Sequence, residues 1–263
     1  MRTLLNIMLA LCLCLNCLGQ TPVQLAPPLL KSSAVFFKQA AIVELKFAQQ
    51  GTHIYYTLNG QPPTEKDKIY KKPIQIKKSL TTLQAITAGS AFLPSEIVSV
   101  TFVKDGLEIK SEQHSNPNEK NPGNGANNLF DNEGGVANVK STNWIGYQQD
   151  TVEITVEMKT SQQLHSVLID FLQDYKSWVF PPQIISVEYF NQSNQTFEFF
   201  SEKKFELIKS NNAPECRPIL LTAENKIVTD KLKIKLYGFT SLPDWLAGKR
   251  SHGWIFVDEI KVY

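Results

Sequence analysis

Apolar and polar residues alternate with a period of two through most of this chain, and no stretch sustains the longer period of a helix. Such a pattern buries one face of a strand and leaves the other wet. IVELKF, IYYTL, TLQAI and IVSVTF carry it in the first part of the chain. TVEITVEM, LHSVLIDFL, IISVEYF, KFELI, KLKIKLYG and WIFVDEIKVY carry it in the second. Short strands separated by Gly, Pro and Asn predict an all-β fold of two β-sandwiches. Between the two groups lies KSEQHSNPNEKNPGNGANN, too polar and too rich in Asn, Pro and Gly to build a core. It reads as a linker. The expected organisation is a domain over 21–104, a linker over 105–124 and a second domain over 125–263.

Charge excludes some partners. The formal net charge is +2, so no strong field attracts nucleic acid or an acidic surface. Residues 31–110 hold 11 Lys against 6 acids, concentrated in EKDKIYKKPIQIKK, which reads as a solvated strand edge. The first twenty residues, MRTLLNIMLALCLCLNCLGQ, place Arg2 before an apolar run from Leu4 to Leu15. That is the pattern of a secretory signal cut near Gly19 or Gln20, too short to span a bilayer. A lipoprotein signal ending at Cys17 is the rival, with Asn16 against it. Cys12, Cys14 and Cys17 lie inside this segment, and cleavage would leave Cys216 alone, without a disulfide partner. The protein is expected to be secreted, periplasmic or held at the cell surface, and no later segment reads as a membrane span.

In HIYYTLNGQPPTEKDKIYKKPIQI a tyrosine-bearing strand enters an Asn-Gly turn, a Pro-Thr pair and a Tyr-x-x-Pro-Ile segment. Tyr56, Thr57, Asn59, Gly60, Pro63, Thr64, Tyr70, Pro73 and Ile74 carry the pattern. Gly60 supplies the positive φ of the turn, and the tyrosines fill core or interface. The region 34–104 resembles the fibronectin/Ig-like domain at the C-terminus of chitobiases and β-hexosaminidases, which implies a scaffold without a site.

The second region offers LFDN, WIGY, SWVFPP and PDW, closing on WIFVDEI. Leu129, Asp131, Trp144, Gly146, Tyr147, Ser177, Trp178, Phe180, Pro182, Pro243, Trp245, Gly248, Trp254, Phe256, Asp258, Glu259 and Ile260 carry a second pattern. It resembles a discoidin-like jelly roll, the galactose-binding domain of coagulation-factor type C, in the version that ends many bacterial β-hexosaminidases. Asn132 stands where that pattern has Gly, and Asn also tolerates left-handed backbone.

Asp258 and Glu259 are adjacent carboxylates in an apolar run. Strict alternation puts Asp258 with Trp254, Phe256 and Ile260, and Glu259 with Ile255, Val257 and Lys261. They then point to opposite faces and cannot converge on one glycosidic bond. The resemblance implies a structural Ca²⁺ held by Asp131, Thr142 and Glu259, whose oxygens suit a hard cation. The plainer alternative has Asp131 capping its own turn, Glu259 in a salt bridge, and Asp258 bonded to backbone or Arg.

Sugar-binding sandwiches set aromatic planes against the apolar face of a pyranose, commonly on loops. DYKSWVFPP offers Tyr175 and Trp178, and LPDWLAGKRSHG offers Trp245, Arg250 and His252. Trp144 and Trp254 read as core. The four His, at 53, 114, 165 and 252, make no metal spacing. No His-Glu-x-x-His, Gly-x-Ser-x-Gly or phosphate-cradling glycine loop is present, and nothing has the alternating pattern of a catalytic (β/α)₈ barrel. The expectation is a non-enzymatic carbohydrate-binding protein for an amino-sugar or galactose-type glycan. The alternative is a module that docks onto a secreted glycoside hydrolase.

Overall fold

The computed structural model describes residues 23–33, 35–125, 128–207, 213–242, 244–246 and 252–263. The expected signal segment, Arg250, Pro243 and Gly248 lie outside these. The described residues are nearly all strand or loop, with no α-helix among them. They form two compact units, one of residues up to 35 with 41–76 and 81–102, the other of 36–40, 77–80 and 103–263.

The first unit begins with β1 (Leu29–Ser32), β3 (Ala41–Lys46) and β6 (Ile74–Ile76), an antiparallel sheet centred on β3. A second sheet runs β8 (Val98–Lys104), β7 (Leu80–Ala88), β4 (His53–Thr57) and β5 (Lys68–Ile69), side by side in that order. Alternation does what the pattern predicts. In β3, Ala41, Val43 and Leu45 are buried, while Ile42 and Lys46 face water. Tyr55 is buried with Ile86 and Ala88. Gly60 has φ +74° in the turn after β4 and donates its N–H to Thr82 O at 3.0 Å. The lysine-rich run falls on the terminal strand β5 and its flanks, where the lysines are exposed.

The second unit contains β2 (Phe36–Phe37), β9 (Ile109–His114), β10 (Ile145–Tyr147), β11 (Thr151–Gln173), β12 (Ile184–Asn191), β13 (Thr196–Lys204), β14 (Glu215–Tyr237) and β15 (Ile255–Val262). The main sheet runs β10-β15-β11-β14-β12-β13, with β9 also on β11. TVEITVEM and LHSVLIDFL are not two strands. They form the single 23-residue β11, which pairs with the 23-residue β14 and shifts register after Glu157 and again after Leu164. The first half of β11 binds β9 and the second binds β15. Val152, Ile154 and Val156 from the first half share one core with Val167, Ile169 and Phe171 from the second. The shared strands therefore fold the sheet over on itself as a sandwich. Each fully buried aliphatic side chain in it contributes about 1.5–3 kcal/mol, and Cys216, among the described residues, is a free thiol.

Three sequence expectations are corrected. The stretch 105–124 is not a linker, because β9 lies inside it and pairs with β11 from Ile154↔His114 to Met158↔Ile109. Leu107 and Ile109 pack on the core while Lys110, Ser111 and Gln113 of β9 are exposed, so its composition resembles a loop. The strand expected at KFELI is instead TFEFFSEKK, ending at Lys204. Strict alternation also fails in β15. Phe171 pairs with Val257 and Ile169 with Ile260, so Asp258 and Glu259 together oppose Asp170 in a β-bulge. Ile260 and Val262 consequently return to the core with Ile255 and Val257.

Candidate functional site

The candidate ligand face is built on the loop from β11 to β12. Asp174 and Val179 exchange backbone hydrogen bonds, each N–H to O at 3.0 Å, closing a tight turn. The Asp174 carboxylate accepts from Ser177 Oγ at 2.5 Å and Ser177 N at 3.4 Å. Trp178 then takes a left-handed conformation, φ 64° and ψ 29°. That geometry costs a side-chain-bearing residue roughly 1–2 kcal/mol, and such outliers persist where their surroundings over-determine them. Here the restraint comes from the strand entering β15: Trp254 N donates to Trp178 O at 2.8 Å, and Phe180 N donates to Trp254 O at 2.9 Å. Gly253 is required at this crossing, since a Cβ would lie 2.2 Å from the Phe180 ring.

These restraints gather an aromatic cluster. Tyr175 lies 5.4 Å from Phe180 and 6.0 Å from Trp245, and Trp178 meets Phe180 edge to face at 6.4 Å. Phe180 is buried, whereas Tyr175, Trp178 and Trp245 are half-buried. Beside them Arg217 donates to Gln173 Oε1, and Gln173 donates to Glu215 at 3.0 Å. Burial raises the Tyr175 phenol above its usual range, and Arg217 opposes the shift. His252 pairs with Asp150 at 3.0 Å. It lines a small hollow with Phe180 and Trp254, about 10 Å³, room for about one water molecule. Phe180 at the hub was named from sequence only as part of the fold pattern, not as a member of the ligand face, and nothing local marked Arg217 on the flank. Trp144 is core, 1% exposed, with Nε1 donating to Val136 O at 2.9 Å. Trp254 is half-buried against Phe256.

A larger hollow, about 800 Å³, lies beside β9, with Leu107, Glu112, Phe130 and Ile260 in its wall. Much of its charge is already paired: Glu108 with Lys159, Lys110 with Glu157 and Asp105 with Lys261. The aromatic face, not this hollow, offers the groups that stack on a ring.

The residues expected to hold calcium do not fit the ion. Glu259 is fully buried, accepts from Asn132 N at 2.5 Å and lies 2.6 Å from the Lys261 ammonium. Asp131 caps its own turn by accepting from Glu133 N at 2.7 Å, and its carboxyl lies within hydrogen-bonding reach of Glu259, where the Lys261 ammonium already supplies the positive charge. Thr142 is exposed on its loop. Among the described residues no group of three or more His, Cys, Asp and Glu side chains is placed for a metal. Burial raises the Glu259 carboxyl, and Lys261 is the strongest influence pulling it back.

Asp258 faces elsewhere and accepts a hydrogen bond from Gly135 N. Its Oδ1 and Asp170 Oδ1 are both buried without a donor, and the two carboxyls are within hydrogen-bonding reach of each other. One shared proton satisfies both. Burial raises both acids, Asp258 further because Asp170 is beside it. The same burial, aided by these acids, pushes the Cys216 thiol up to about 12. Cys216 is therefore expected to resist iodoacetamide at pH 8 in the folded protein and to react after denaturation, since the thiolate is the nucleophile. Mass mapping of its peptide checks this, and labelling at the rate of a free thiol would contradict it.

In sequence, no curated protein matches the chain. In structure it is similar to the family 32 carbohydrate-binding module from Streptococcus pneumoniae EndoD, with TM-score 0.39 and 10% identity over 60% of this chain and 96% of that one. It is also similar to a chitosan-binding module of a chitosanase/glucanase from Paenibacillus sp. IK-5, with TM-score 0.36 and 12% identity over 60% and 96% of the two chains. A pectin binding carbohydrate binding module gives TM-score 0.37 and 13% identity over 59% and 91%. Residues 33–100 match the family model of the chitobiase/beta-hexosaminidase C-terminal domain, the family that the tyrosine, Asn-Gly turn and Pro-Thr pattern implied for them.

Proposed function

We propose that this is an exported, non-catalytic protein that holds a glycan on the aromatic face of its second unit. The observation that carries the reading is the left-handed Trp178, whose backbone is restrained by Asp174, Ser177 and Trp254 beside Tyr175, Phe180 and Trp245. Half-exposed rings held without freedom to collapse lose little entropy when a sugar ring stacks on them. Arg217, Gln173 and Glu215 stand at the edge of the cluster as partners for hydroxyl or amide groups. The family named for residues 33–100 makes hexosamine-containing glycans the first ligands to try.

A glycan array of the wild type, Trp178→Ala and Trp245→Ala tests the proposal. Each ring lost is expected to weaken binding about tenfold, as about 1.4 kcal/mol corresponds to that factor. No glycan retained above background, or retention unchanged by either substitution, would instead favour a module that docks onto a glycoside hydrolase.

A further inference from the structure

We infer that Lys261 is the internal cation of the second unit, standing beside the residues from which a calcium site was expected. Its side chain is 3% exposed. The ammonium lies 2.6 Å from Glu259 Oε2, 2.8 Å from Asn132 Oδ1 and 3.7 Å from Asp105 Oδ1, with the Phe36 ring centre at 5.8 Å. One positive charge thus ties together segments distant in sequence, as a structural metal does. The cradle is built for it from the backbone upward. Asn132 has φ 66°, which aims its N–H at Glu259 while its side-chain oxygen receives Lys261. Gly106 lies so close to β15 that a Cβ would come 2.6 Å from Val262 O, and this close approach holds the neighbouring Asp105. A carboxylate as buried as Glu259 needs a compensating charge, and an ammonium on the same strand is present without any ion from solution.

The inference makes the second unit indifferent to calcium, and makes that indifference depend on one side chain. All four tryptophans lie in this unit, so their fluorescence follows its melting in the full-length protein. The wild-type midpoint should not move with chelator or with millimolar CaCl₂. Lys261→Met should melt about 10 °C lower, the size expected for a buried carboxylate left unpaired. Calcium should restore part of that loss by binding the vacated cradle. The double variant Lys261→Met/Glu259→Gln, which removes both charges, should melt above the single one and ignore calcium. A wild-type midpoint that falls with chelator would overturn the inference, as would a Lys261→Met midpoint equal to wild type or unmoved by calcium. None of these outcomes depends on glycan binding.

Discussion

Replacing Gly135 by Ala is expected to destabilise the second unit by about 3 kcal/mol, although only one methyl group is added. The added Cβ would lie 2.4 and 2.6 Å from two atoms of the Trp144 indole and 2.8 Å from Asp258 Oδ2. Neither neighbour can yield. Trp144 is 1% exposed and tethered through Nε1, and Asp258 is buried against Asp170. Moving the backbone instead would break the Gly135 N–H bond to Asp258 and the Cys216 thiol bond to Gly135 O. Overpacking costs about 1–3 kcal/mol and a lost hydrogen bond to a carboxylate about 1.5–3. At roughly 2–4 °C per kcal/mol for a domain of this size, the tryptophan-detected midpoint should fall by about 6–12 °C. Gly238→Ala, where the nearest atom is 3.3 Å away, serves as the control and should cost well under half as much. Equal midpoints for the two variants would mean that the Gly135 crossing is not tight.

Stability of the same unit should fall as pH rises through neutrality. Asp170 and Asp258 have carboxyls raised in the fold by burial, while the unfolded chain releases their protons in the ordinary carboxylate range, near pH 4. Above that range the folded state binds more protons than the unfolded one, so the free energy of unfolding decreases with pH. The stabilisation is complete below the unfolded values and is lost as pH climbs through the folded ones. Asp170→Asn supplies an N–H to the Asp258 carboxylate without a titrating proton. It should lessen the fall in midpoint between about pH 5 and pH 9, leaving a smaller slope from Glu112, which burial also raises. A variant slope equal to the wild type would remove the shared proton from the account.

The aromatic face shows how much of a site can be read in advance. Tyr175, Trp178 and Trp245 were singled out as loop aromatics able to stack on a sugar ring, and the fold places Tyr175 near Trp245. Their support was not readable. Asp174 reaches Ser177 within one local turn, but Phe180 meets Gly253 and Trp254 only because segments more than 70 residues apart cross there.

The period of two is a property of each segment alone, because a strand exposes alternate residues whatever lies beside it. It therefore determined the all-β class and the buried face of β3, while the Asn-Gly pair set the turn at Gly60. Pairing is decided by a partner. That β9 is a strand, that β11 runs unbroken through a bend, and that Asp258 and Glu259 share a bulge opposite Asp170 depend on strands far along the chain. The fate of Glu259 is the clearest case. Its sequence neighbours admit an ion or a salt bridge equally, and only the fold brings Asp105, Asn132 and Lys261 around it, because electrostatic partners are chosen by distance in space.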